Sequence, residues 1–209
     1  MIPIVLSTQR TGSTFLFLHF HPKIQHVCYE PYNSEIQRDE YKAIASAPEF
    51  KNRIVDVIGY LEYLSQFGVI DLKLEITPMF VIKQIYKNNK KFNSTILYRD
   101  NILHQYISKL TAGRSVVFYD SKEQREKPLT VDISAFNPYC KTIADYYAEA
   151  AKNIPGALIT SYEDMNVGNI AKHLGIPVKF SPDIVKLHND YSFVTNREEL
   201  NANYPEWKI

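Results

Sequence analysis

Short apolar runs alternate along this chain with longer stretches of helical periodicity. Ile2–Leu6 is unbroken apolar, the pattern of a strand buried on both faces. Polar Ser7–Ser13 follows and contains Gly12, after which Thr14–Phe20 reads as helix. A second short strand is predicted over Gln25–Cys28, ending at Glu30-Pro31. Ser46-Ala-Pro-Glu49 has the form of a capping box with Pro in the first turn. Phe50, Ile54, Val57, Ile58, Leu61 and Leu64 continue at helical spacing until Gly68. Val69–Ile76 alternates in part and reads as a strand carrying Lys73. The pattern then predicts a helix over Pro78–Asn88, a strand over Thr95–Tyr98 and a helix over Asp100–Leu110.

Residues 112–133 are mixed and charged and read as a mobile excursion. Asn137-Pro138 is expected to open a helix with Tyr139, Ile143, Tyr146, Tyr147 and Ala150 on one face, broken by Pro155-Gly156. Ala157–Thr160 reads as strand, Val167–Leu174 as a short helix, and the tail from Pro182 as irregular and aromatic. Strands alternating with helices imply an α/β fold, a parallel sheet with helices on both faces. A length of 209 residues suits a single domain, residues 1–209, with no internal repeat or linker to divide it.

Net charge is +1, without the basic excess of a sequence-blind nucleic-acid binder. Any anionic ligand is therefore held by local donors, and no nucleic-acid partner is expected. Cys28 and Cys140 lie far apart without metal spacing, which argues against a disulfide scaffold or a zinc site and suits a reducing compartment. No stretch approaches the roughly 18 apolar residues of a membrane span. The apolar start lacks the basic region and cleavage site of a leader. The expectation is a cytoplasmic protein without a membrane partner.

The strongest chemical signal is Ser7-Thr-Gln-Arg-Thr-Gly-Ser-Thr14, set between a buried strand and a helix. Helix N-termini carry free N–H groups and the positive end of a dipole, so they bind phosphate. Gly12 would let the backbone curl around an anion, Thr11, Ser13 and Thr14 add donors, and Arg10 adds a charged fork. A nucleoside-triphosphate loop reads G-x-x-x-x-G-K-[ST]. Here Ser7 replaces the first Gly and Ser13 the Lys, so the loop keeps the shape and loses the triphosphate grip. An ordinary strand–helix turn is the bland alternative.

The loop resembles the 5′-phosphosulfate loop of sulfotransferases that use PAPS (3′-phosphoadenosine-5′-phosphosulfate). In these, Arg or Lys precedes Ser/Thr-Gly-Ser/Thr-Thr, and Gln9 stands where Pro is frequent. "ILYRDNILHQYIS", Ile96–Ser108, resembles the same family's 3′-phosphate segment, a strand ending in Arg and then a helix carrying Ser. The resemblance implies a three-layer, P-loop-NTPase-like sheet. It also implies donor binding by Arg10, Thr11, Gly12, Ser13, Thr14, Arg99 and Ser108, and PAP as product.

Tyr29-Glu-Pro-Tyr-Asn33 resembles a loop of carbohydrate sulfotransferases of the bacterial nodulation, trehalose and Golgi types, in which a Glu is the base. That makes Glu30 the implied catalytic base, for sulfonyl transfer needs a group to take the acceptor hydroxyl's proton. A Glu before Pro also caps turns. Lys73 resembles a strand lysine of the same group and would stabilise charge on the leaving phosphate beside Arg10. A lysine on an edge strand is otherwise simply solvated. Histidine is the base of cytosolic sulfotransferases, but His19, His21 and His26 lie in no segment resembling theirs and read as surface or core residues. Ser161-Tyr-Glu-Asp-Met165 resembles a C-terminal sulfotransferase segment and is expected to shape the fold.

The sequence thus points to a metal-independent sulfotransferase with a carbohydrate or other small-molecule acceptor. The alternatives are a P-loop kinase, which would need the missing Lys and a magnesium-holding carboxylate, and a non-enzymatic phosphate-binding protein.

Overall fold

The computed structural model describes residues 1–20, 30–32, 48–112, 127–177 and 191–207. Among the described residues, four strands form one sheet in the order β2-β1-β3-β4: β1 Ile2–Ser7, β2 Ile70–Lys73, β3 Phe92–Tyr98 and β4 Leu158–Ser161. All pairs are parallel, and the strands end nearly flush, with Ser7 opposite Lys73 and Leu97, and Tyr98 opposite Ser161. The helices are α1 Ser13–Phe20, α2 Pro48–Lys51, α3 Val57–Ser65, α4 Met79–Lys87, α5 Ile102–Ala112, α6 Ile133–Asn153, α7 Val167–Leu174 and α8 Arg197–Asn203.

The unbroken apolar run of β1 is explained by burial on both faces. Ile2, Ile4 and Leu6 pack with α3, α4 and the end of α6, whereas Val5 packs with Leu16 and Phe17 of α1 and with α7. This is the expected three-layer α/β arrangement. A third cluster joins Leu103 and Ile107 of α5 to Phe136 of α6 and to Tyr191, Val194 and Leu200. No helix among the described residues is long and apolar enough to cross a membrane.

Three boundaries differ from expectation. The stripe from Phe50 to Leu64 is two helices: Asp56 caps α3 by accepting the Gly59 N–H at 2.9 Å, and Ile54 and Val55 stand exposed in the turn before it. The long helix does not open at Asn137-Pro138. Asp132 caps α6 through Ser134 N–H, the first turn is anchored by fully buried Phe136, and Pro138 lies inside the helix. The tail carries α8, beyond the irregular structure expected there. The strand at Gln25–Cys28, the cap at Ser46, His21, His26, Cys28, the loop residues Tyr29 and Asn33 and most of the charged excursion lie outside the described residues. Cys140 is free and half-buried, its thiol pushed up to about 11 by burial.

Candidate functional site

In an open parallel sheet, ligands bind beyond the C-terminal strand ends, where the strand order reverses. Here that point lies between β1 and β3, so the loop after β1 and Arg99 after β3 lie side by side at one edge of the sheet.

The loop departs from extended backbone twice. Arg10 has φ +65° and Gly12 φ +86°, with Thr11 at negative φ between them. Left-handed residues next to right-handed ones are the backbone form from which anion-binding nests are made. Gly12 is required for a second reason. A Cβ on it would lie 2.3 Å from a ring carbon of Tyr162, so the aromatic ring closes over the glycine itself. Thr11 is fully buried and its hydroxyl donates to Thr8 O at 2.9 Å, which braces the loop. Thr14 lies in the first turn of α1, half-buried.

The first half of the loop is fastened from three sides. Tyr147 of α6 accepts the Thr8 N–H at 3.2 Å and shares a 2.7 Å hydrogen bond with the Thr8 hydroxyl. Gln105 of α5, fully buried, donates to Thr8 Oγ1 at 2.6 Å and to Gln9 O at 2.8 Å. Glu75, two residues past the end of β2, accepts the Gln9 N–H at 2.5 Å. Burial raises the Glu75 carboxyl above its ordinary range.

Beneath the second half lies a buried charge pair. Lys73 Nζ donates to Asp71 Oδ2 at 2.7 Å, to Ser7 Oγ at 2.9 Å and to Ser13 Oγ. Asp71 also accepts from the Ser7 and Ser13 hydroxyls at 3.1 and 3.0 Å. The solvated reading of Lys73 is therefore corrected: although β2 is the outer strand among the described residues, the side chain is only 2% exposed. It points across to the start of α1 because Ile70, Leu72 and Leu74 take the opposite face.

Arg10 and Arg99 meet. Arg10 Nε donates to Ser108 Oγ at 3.1 Å, and Arg99 Nη1 donates to Arg10 O at 3.3 Å. Arg99 also lies 5.3 Å over the Tyr162 ring and 3.5 Å from Glu163 Oε1. Glu163 in turn accepts the Asp100 N–H at 3.0 Å. The Ser161–Met165 segment thus shapes the site as well as the fold.

Glu30 stands on the outer side of β2, where its N–H donates to Asp71 O at 3.1 Å. Its φ is +53°, so it is not held extended by Pro31 as the sequence implies; the chain turns there through the left-handed region. A non-glycine residue in that region costs of order 1–3 kcal/mol and persists where its surroundings over-determine it; buried Pro31 and the β2 hydrogen bond supply that constraint. His19 belongs to the core reading: it is buried on α1, its ring edge-on to Phe15 and its pKa lowered by burial.

Sequence reasoning did not pick out Asp71, Glu75, Gln105, Tyr147 or Tyr162 as site residues. A signal for the first two was present. Asp71, Lys73 and Glu75 alternate with Ile70, Leu72 and Leu74 in sequence, the pattern of a strand with one charged and one apolar face, although the strand itself stops at Lys73 and Glu75 lies in the turn after it.

Neither a protein-family model, nor a curated protein, nor a solved structure matches the chain.

Proposed function

We propose that the chain is a sulfotransferase that moves a sulfonate group from PAPS to a hydroxyl of a carbohydrate or other small-molecule acceptor. One observation carries the reading. Arg10 and Ser108, 98 residues apart and singled out by separate segments of sequence, are hydrogen-bonded, and Arg99 reaches the same loop. A donor bearing a 5′-phosphosulfate and a 3′-phosphate needs an anion loop continuous with a second phosphate site. A nucleoside triphosphate has no group to place at Arg99 and Ser108.

In this reading the loop N–H groups and Arg10 hold the 5′ end of the donor, and Arg99 and Ser108 hold the 3′-phosphate. Glu30 takes the acceptor hydroxyl's proton as its oxygen bonds to sulfur and the bond from sulfur to the bridging oxygen breaks. Lys73 balances the charge left on the departing phosphate by exchanging a serine contact for a phosphate oxygen. P-loop phosphotransferases hold magnesium with a loop hydroxyl and a strand carboxylate. Here Ser13 and Asp71 are both bonded to Lys73, which favours metal-free transfer over the kinase alternative.

Thermal shift with PAP, ADP, AMP and ATP–Mg²⁺ tests the proposal, because a ligand selective for the native state raises its stability by mass action. PAP is expected to stabilise far more than ADP or AMP, and sulfonate transfer is expected to survive EDTA. Equal shifts for PAP and AMP would remove the 3′-phosphate site, and an absolute need for Mg²⁺ would turn the reading toward a kinase.

A further inference from the structure

The three fastenings on Thr8 and Gln9 are not alike. Those from Tyr147 and Gln105 are uncharged, whereas Glu75 brings a carboxylate. Its Oε1 occupies the N–H of Gln9, next to Arg10, and its Oε2 is buried without a hydrogen-bond partner among the described residues. A loop built to gather anions thus carries a tethered negative group of its own. Bracing alone does not account for the charge, because a neutral amide would accept the same N–H without the desolvation that raises this carboxyl. The groups facing it are Lys73 beside it at the end of β2, Lys109 from α5, and Tyr139 and Tyr147 from α6. Desolvation pushes the carboxyl toward its neutral form, and the Gln9 N–H and then the two lysines oppose it.

Such a charge discriminates between ligands of one shape and different charge. A terminal sulfuryl group carries one negative charge, while a terminal phosphoryl group, with a second pKa of about 6, carries nearly two above neutral pH. Resting on the sulfotransferase reading, we propose that Glu75 is a specificity-determining residue of the loop: its carboxylate at Gln9 penalises a terminal phosphoryl group more than a terminal sulfuryl group, so that PAPS is favoured over the diphosphate of the same shape.

The test is calorimetric titration at pH 7.5 with PAPS, with adenosine 3′-phosphate 5′-diphosphate and with PAP. It uses the wild type, Glu75→Gln, which keeps an acceptor for Gln9, and Glu75→Ala as a second variant should Gln disturb folding. Removing one unit charge is expected to tighten the diphosphate on the order of tenfold more than it tightens PAPS, as a Coulomb interaction at intermediate dielectric predicts. Equal changes for the two ligands, within about twofold by the same measure, in whichever variant is folded would overturn the role of Glu75. PAP and PAPS binding to the wild type separates the two levels. If both bind, the ratio alone decides the fate of Glu75. If neither binds, the sulfotransferase reading falls and this inference with it.

Discussion

Replacing Lys73 by Met should destabilise the fold strongly, and the structure sets the scale. The ammonium is 2% exposed and its partner Asp71 is fully buried, with 2.7 Å between nitrogen and oxygen. Met fills the volume of the lysine stem but takes away the cation beside the buried Asp71 carboxyl, which keeps, among the described residues, the Ser7 and Ser13 hydroxyls as side-chain donors. Breaking one half of a buried pair costs about 3–5 kcal/mol, because the remaining charge is uncompensated. Against a total stability of about 5–15 kcal/mol that is a large fraction. A domain of this size loses about 2–4 °C per kcal/mol, so the midpoint should fall by about 6–20 °C. The double variant Lys73→Met/Asp71→Asn removes both charges and keeps an acceptor for one of the two hydroxyls, with the amide N–H donating to the other. It should recover most of the loss, giving a favourable coupling energy in a double-mutant cycle. Urea unfolding at pH 7 followed by far-UV circular dichroism measures it, with Trp207, packed on Phe136, as a second probe. The reasoning is refuted if Lys73→Met costs less than about 1 kcal/mol, the scale of an exposed pair, or if the double variant is no more stable than the single.

Three further outcomes follow from the same geometry. Arg10→Ala should weaken PAP binding by about 1.5–3 kcal/mol, the range for a charge-assisted hydrogen bond; unchanged affinity by calorimetry would take the loop out of the donor site. Gly12→Ala should both destabilise the protein and weaken PAP binding, since φ +86° and the Tyr162 ring each oppose a Cβ. Adding Tyr162→Ala should relieve the steric part while leaving the backbone cost of about 1–2 kcal/mol, and a double variant no better than the single would show that the ring is not the obstacle. Glu30→Gln should lower the transfer of radiolabelled sulfonate to a panel of sugars by about 10²–10⁴-fold with PAP affinity nearly unchanged; a variant that keeps more than roughly a tenth of the rate would leave Glu30 as a turn residue.

The sequence by itself determined the α/β class, the parallel sheet and the place of the loop, because each rests on local pattern. Buried strands read as continuous apolar runs, amphipathic helices keep their period, and a strand–loop–helix junction is contiguous in the chain. The end of α7 was equally local, with Gly175 in the left-handed region at its C-cap. Boundaries failed where a side-chain cap or a buried aromatic outweighed the punctuation. Asp56 divided one apolar stripe into two helices, and Asp132 with Phe136 started α6 ahead of Pro138. The tertiary structure alone decided what stands against the loop. Sequence spacing cannot say that Tyr162 lies on Gly12 or that Gln105 and Tyr147 both reach Thr8. It puts Asp71 and Lys73 on one face of a strand but cannot say that the pair is buried against the start of α1. The two contacts on Thr8 join residues that stand 97 and 139 positions apart. They are set by the register of parallel strands, which brings chain ends together at one edge of a sheet whatever their distance in sequence.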